Sequence, residues 1–116
     1  GLLLYSLGGW SFVMYGIFVR IVVLWHCTWF VNSATHIQGY RPFNIQDGSR
    51  NLWWVGLLTY GEGWHNNHHA EPNIAVAGRR WWEIDMTWWL ILLLEWCNLA
   101  HHIKRPAIKP SVASAN

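Results

Sequence analysis

Three histidines, His65, His68 and His69, fall within five residues. Offsets of i, i+3 and i+4 place them on one face of a helix. Neutral imidazole is the commonest side-chain ligand for transition metals, so a one-sided group of three can grip an ion without distant loops. Packing does not explain the cluster. Imidazoles are costly to bury without partners, and three on one turn repel one another when charged. They sit in Gly61-Glu62-Gly63-Trp64-His65-Asn66-Asn67-His68-His69, among aromatic and apolar surroundings rather than charges, which favours ligands over a solvated surface patch. A second candidate lies upstream, where Asn32 and His36 are four residues apart and share a helix face. Spacing alone does not name the metal, because imidazole also suits zinc and copper.

The apolar pattern supplies the elements that must position these groups. A chain of 116 residues suits one small domain. Hydrophobic residues make up 53%, charged residues only 12%, and there are 11 tryptophans. Low charge with many Trp points to lipid, since Trp favours the membrane–water interface. A scattered net charge of +2 argues against nucleic-acid binding. Cys27 and Cys97 are far apart with no CxxC partner, which leaves neither a disulfide framework nor a thiolate zinc site. Each lies in an apolar run and reads as a buried thiol.

Leu2 to Leu7 is a short apolar piece, the end of a preceding membrane helix, and Gly8-Gly9 breaks it. Trp10 to Val31 is then 22 residues with one charge, Arg20, long enough to cross a hydrocarbon core. Arg20 is costly at the bilayer centre, so it snorkels, faces a bundle interior or marks where the helix leaves the lipid. The pattern predicts one long helix from Trp10 to about Ile37 whose second half projects beyond the membrane; a buried soluble helix is the alternative. Arg41, Arg50, Arg79, Arg80, Lys104, Arg105 and Lys109 all follow this helix. By the positive-inside rule, everything after about residue 32 is cytoplasmic.

Gly39 to Ser49 reads as a loop, Asn51 to Tyr60 as a helix leading into the histidines, and Glu71 to Gly78 as a connector. Trp81 to Ala100 is apolar but carries Glu83, Asp85 and Glu95, and its uncharged run Met86 to Leu94 is too short to span a bilayer. An interfacial or buried helix fits it. Lys104 to Asn116 reads as a frayed tail. The chain opens on Gly1 in an apolar run without a basic leader, which reads as the C-terminal piece of a larger protein rather than a signal peptide. The fold class is all-α and membrane-embedded. Membrane helices are expected over 1–37, a cytosolic helical metal-binding region with its interfacial helix over 38–103, and the tail over 104–116.

Two strings together carry a family resemblance: Trp29-Phe30-Val31-Asn32-Ser33-Ala34-Thr35-His36-Ile37-Gln38-Gly39-Tyr40-Arg41, and the Gly61 to His69 segment above. From about Phe18 to Ala100 the chain resembles the membrane fatty acid desaturases, of the Δ9 type that act on acyl-CoA or acyl-lipid. HxxHH alone occurs in several membrane oxygenases; GEGW before it and WxVNSxxH upstream make the match specific. The Trp-His-Asn-Asn-His-His wording looks most like bacterial, cyanobacterial and plant members. The resemblance implies a di-iron centre in the 38–103 region that uses O2 and two electrons to remove two hydrogens from adjacent carbons of a saturated acyl chain. It implies His36, His65, His68 and His69 as iron ligands and Asn32 as a residue that approaches one metal through water. It implies Thr28 and Trp29 at the bend of an acyl tunnel, with ordinary helix packing as the alternative.

Glu62, three residues before His65, and Asp85 are carboxylates that could orient the imidazoles, helix capping or plain surface exposure being the alternative. No GxGxxG is present, so by family analogy electrons come from ferredoxin or cytochrome b5. The family's two earlier boxes, HxxxxH and HxxHH, do not occur in the chain. His26 is ten residues from His36, about 80° off its face, and reads as packed or hydrogen-bonded. His101-His102, beside Lys104-Arg105, reads as a solvated helix end. The chain therefore carries only part of a two-metal ligand set and should be inactive alone. A fatty acyl hydroxylase or other membrane di-iron oxygenase is the neighbouring alternative, and a non-catalytic, membrane-anchored metal-binding segment the more distant one.

Overall fold

The structure, a computed structural model, describes residues 1–107. It is helical, and no strand forms among the described residues; Tyr40 with Asn51 and Asn51 with Trp64 make two isolated antiparallel bridges. The chain divides into two compact units, Gly1–Phe30 and Val31–Asn116.

The first unit contains α1 (Leu2–Val13), a π-helical segment (Met14–Val19) and the start of α2 (Arg20–Ile37). Inside α1, Gly8 and Gly9 leave helical geometry, Gly9 with a φ of 62°. The expected break is therefore present. It bends the chain enough that a Cβ on Gly16 would stand 2.9 Å from Leu4, whereas a straight helix would separate the two by about 18 Å. Residues 10–30, helical beyond the break, measure about 32 Å at 1.5 Å per residue, close to the ~30 Å of a bilayer's hydrocarbon core. The helical run is long and apolar enough to cross a membrane, and its apolar side chains stand exposed on nearly every side, Trp25 at 60%. The buried-soluble-helix reading does not fit that exposure. Nor does the buried-thiol reading of the cysteines, since Cys27 and Cys97 are both exposed. Each lies on or just after a helix whose apolar side chains are exposed around it, so an apolar neighbourhood in sequence does not mean burial.

The second unit holds the remainder of α2, then α3 (Trp53–Leu58), α4 (His65–Ala70) and α5 (Met86–Trp96). Val31, Leu52 and Val55 form a small apolar cluster with Ala34 and Trp54 against them, and Phe43, Trp64 and Val76 are buried as well. Backbone hydrogen bonds of the intervening turns do much of the joining. Tyr40 and Asn51 exchange bonds of 3.0 and 2.7 Å, Arg50 N–H donates to the Thr35 carbonyl at 2.8 Å, and Leu52 N–H donates to the Gly63 carbonyl at 2.9 Å. Gly39 turns the chain out of α2 with a φ of 117° and passes so near Asn51 that a Cβ would sit 2.2 Å from its carbonyl oxygen. Gly63 runs against α3, where a Cβ would lie 2.0 Å from the Gly56 nitrogen.

α5 is shorter than the apolar run that predicts it. Asp85 stops it at the N-terminus by accepting the Trp88 N–H at 2.9 Å, the usual role of an N-cap aspartate. No residue of α5 is buried, and Trp96 is 80% exposed, so the helix is not a core helix among the described residues. Of the expected frayed tail over 104–116, residues 108–116 lie outside the described residues. Its first part is tied down: Arg105 pairs with Glu95 at 2.7 Å and lies over the Trp88 ring, and Ala107 N–H donates to Glu71.

Because the Gly63 backbone occupies the space a methyl would need, Gly63→Ala is expected to destabilise the whole protein by about 3 kcal/mol, the upper end for overpacking. Thermal or denaturant unfolding reads the change, and an unshifted midpoint would refute the close approach.

Candidate metal centre

α4 is only six residues long, too short to be stable alone, and is held from outside. Trp64 before it is 1% exposed, donates its indole N–H to the Ile84 carbonyl at 2.8 Å and meets Trp82 edge-on. Trp64 offers no capping oxygen to the helix start. Asn51 supplies one instead: its Oδ1 accepts the N–H groups of Asn66 at 3.0 Å and Asn67 at 3.2 Å, two of the donors a helix N-terminus leaves open.

The two asparagines of the His-Asn-Asn-His-His string are fully buried and point into this framework. Asn66 accepts from Phe43 N–H at 2.8 Å and donates to the carbonyls of Phe43 and Ser49 at 3.2 and 3.1 Å. Asn67 donates to the Ala77 carbonyl and to Glu83, both at 2.8 Å. Glu83, buried as well, also accepts from the Tyr40 hydroxyl and from the backbone N–H groups of Arg79 and Arg80. Burial first, and then the bond to Glu83, raise the pKa of the Tyr40 hydroxyl, which stays a donor. With positions i+1 and i+2 committed to the framework, positions i, i+3 and i+4 are left for another task.

His36, in the last turn of α2, meets them. Its ring centroid lies 5.4 Å from His65 and 5.9 Å from His69, and those two are 4.3 Å apart. One ligand nitrogen from each of His36, His65 and His69 lies within 4.8 Å of the others. The Nε2 of His65 is buried and has no hydrogen-bond partner among the described residues. Burial, followed by the neighbouring His69 and His36, pushes its pKa down to about 4, so the ring is neutral near pH 7 and keeps a lone pair. A buried, unpartnered imidazole nitrogen facing two more imidazoles fits a transition-metal ion. His69 turns its Nδ1 to the carboxylate of Asp47. Burial alone would raise the Asp47 pKa, but bonds from the Ser49 hydroxyl and N–H, with His69, outweigh it and lower it.

His68 is not one of the three whose ligand nitrogens converge, although its ring lies 5.8 Å from His69 and 6.3 Å from His65. It lines an open cavity of about 340 Å³ with Glu62, Pro72 and Ile74. Glu62 is exposed. Asp85 gives its carboxylate to the N–H groups of Ala77, Gly78 and Trp88, the capping alternative. Asn32 is exposed one helical turn before His36. In the first unit, Thr28 donates to the Leu24 carbonyl at 3.0 Å, and Trp29 lies against Trp25 and His26. His26 bonds the Val22 carbonyl at 2.8 Å, as a hydrogen-bonded histidine should. His101 and His102 are exposed, though they follow α5 rather than end it.

Sequence reasoning missed Asp47, Asn51 and Glu83 as parts of this centre. For Asn66 and Asn67 a signal existed: lying between the histidines, they had to face the opposite side of the helix.

Helical structure throughout the described residues, an apolar helix of membrane-crossing length and a histidine cluster that could hold a metal define a histidine-rich, membrane-type class of protein. Comparison with known proteins narrows it. The fatty acid desaturase family model matches residues 1–102. An sn-2 palmitoyl-lipid 9-desaturase of Nostoc sp. (strain 36) is 64% identical over 102 residues, 88% of this chain and 36% of that protein. An sn-1 stearoyl-lipid 9-desaturase of Synechocystis sp. (strain ATCC 27184 / PCC 6803 / Kazusa) is 57% identical over 116 residues, 100% of this chain and 36% of that one. An acyl-CoA C20 Delta5-desaturase of Anemone leveillei is 50% identical over 105 residues, 90% of this chain and 34% of that one. The chain belongs to the fatty acid desaturase family. It spans about a third of the length of these relatives.

Asn51→Ala would leave two buried N–H groups of α4 without an acceptor. In the whole protein it is expected to cost about 3 kcal/mol of stability, read by denaturant unfolding. A loss below about 0.5 kcal/mol, the size of an ordinary surface change, would show that α4 does not depend on this cap.

Proposed function

We propose that this chain is part of a membrane fatty acyl desaturase that introduces a double bond, at Δ9, into a saturated acyl chain with O2 and two electrons. The observation that carries this reading is the approach of His36, from the end of α2, to His65 and His69 of α4. A structural histidine cluster has no need to draw a third imidazole from so far along the chain. Family membership and the 9-desaturase names of two relatives support the reaction and its position.

In this reading His36, His65 and His69 hold one iron, His68 serves a second, and Asn32 approaches through water. Bound iron supplies the O2 chemistry needed to take hydrogen from an unactivated methylene, which no side chain can do. The chain's own contribution is positional. His65 is neutral without having to lose a proton, and the buried asparagines fix α4. Thr28 and Trp29 border the acyl tunnel, and Glu62 lies on the His68 side, whereas Asp85 serves as the cap of α5. The relatives' names favour a lipid-linked acyl chain, with acyl-CoA as the alternative. Ferredoxin or cytochrome b5 delivers the electrons. The helices over 1–37 lie in the membrane, and the region over 38–103 faces the cytoplasm, where the excess of Lys and Arg after the apolar helix puts it.

The test is fatty-acid analysis, with iron content, of the whole protein expressed in a host that lacks its own desaturase. His36→Ala, His65→Ala and His69→Ala are each expected to lower double-bond formation by more than about 100-fold, beyond the usual cost of losing a ligand's hydrogen-bond partner. His26→Ala and His101→Ala should retain it. A hydroxylated product without a double bond would move the assignment to a hydroxylase. Unchanged unsaturation in His65→Ala would leave a non-catalytic metal-binding role.

A further inference from the structure

The contact between His69 and Asp47 is not explained by the three histidines alone. Asp47 comes from the loop between α2 and α3, and both of its carboxylate oxygens are engaged. Oδ1 accepts the Ser49 N–H at 2.9 Å and the Ser49 hydroxyl at 2.7 Å, while Oδ2 meets Nδ1 of His69. Ser49 is fully buried, and its carbonyl accepts from the Asn66 side chain at 3.1 Å. The connection closes on itself: Asn66 holds Ser49, Ser49 holds Asp47, and Asp47 holds His69, three residues after Asn66 in the same helix.

We propose that Asp47 is a positioning residue for the metal centre, fixing His69 with its proton on Nδ1 and its Nε2 lone pair turned to the ion. A carboxylate can only accept, so the ring nitrogen facing it must carry the hydrogen. The other nitrogen is then unprotonated and available as a ligand, and the negative charge raises its basicity. The Ser49 bonds keep the carboxylate from rotating away, so the tautomer is set by buried groups although Asp47 and His69 are themselves about one-third exposed. Asp47 thus imposes the orientation of His69 from the loop.

The inference rests on the metal-binding reading above. Asp47→Asn tests it, because the amide keeps the shape and its oxygen can retain the Ser49 bonds. The amide nitrogen then faces His69 as a donor, which drives the ring proton to Nε2 and removes the lone pair. The whole protein is loaded with iron, exposed to a chelator, and its retained iron measured beside the melting temperature of the iron-free form. The expected result is about 10- to 100-fold weaker iron retention, the usual effect of losing a ligand's hydrogen-bond partner, with the iron-free melting temperature unchanged. Iron retention equal to the parent overturns the proposal. So does a lowered iron-free melting temperature with iron loss that only follows the unfolded fraction, which would make Asp47 a folding residue. A parent protein that binds no iron overturns the metal reading itself. A parent that binds iron, loses it in His65→Ala and keeps it in Asp47→Asn overturns only the role of Asp47.

Discussion

The histidine cluster depends on a clamp made by two consecutive residues. Arg50 gives its backbone N–H to the Thr35 carbonyl in the last turn of α2. Asn51 gives its side-chain oxygen to the first turn of α4. One peptide thus caps the C-terminal end of one helix and the N-terminal end of another, beside His36 in the first and His65 in the second. Neither helix end could supply these partners itself. α4 is too short to persist without them.

Buried polar groups therefore carry much of the second unit. Asn51, Asn66, Asn67, Ser49 and Glu83 are all buried, and they bond chiefly to backbone groups of turns rather than to one another. That arrangement is costly if any member is lost, because an unpaired buried donor or acceptor keeps its full desolvation penalty. It is also directional. Apolar packing tolerates small rotations, whereas hydrogen bonds fix the roll of α4 about its axis, and the roll decides where the imidazoles point.

Local pattern made the main elements legible. The i, i+3, i+4 histidines, the Gly8-Gly9 break, the apolar length of the first helix and the Asn51 to Tyr60 helix all depend on residues close together in sequence, and each has its counterpart in the structure. Non-local partners did not have a local signal. Nothing around Asp47 points to His69, and nothing around Glu83 points to Asn67. The last helix is shorter than its apolar run because Trp81 and Trp82 are apolar yet Asp85 caps the helix after them. The cysteines are exposed for a related reason: where apolar helix faces lie at the surface, hydrophobic company does not predict burial.

The alternation within His65-Asn66-Asn67-His68-His69 leaves this segment with no slack in register. Each α-helical residue advances the face by about 100°. One residue inserted or deleted just before His65 would carry one asparagine round to the metal side and one imidazole toward the buried pocket that Phe43, Ser49 and Ala77 have shaped for amides. Surface loops usually absorb such length changes without harm. The turn from Gly61 to Trp64 is a loop in outline only: its length is part of the chemistry.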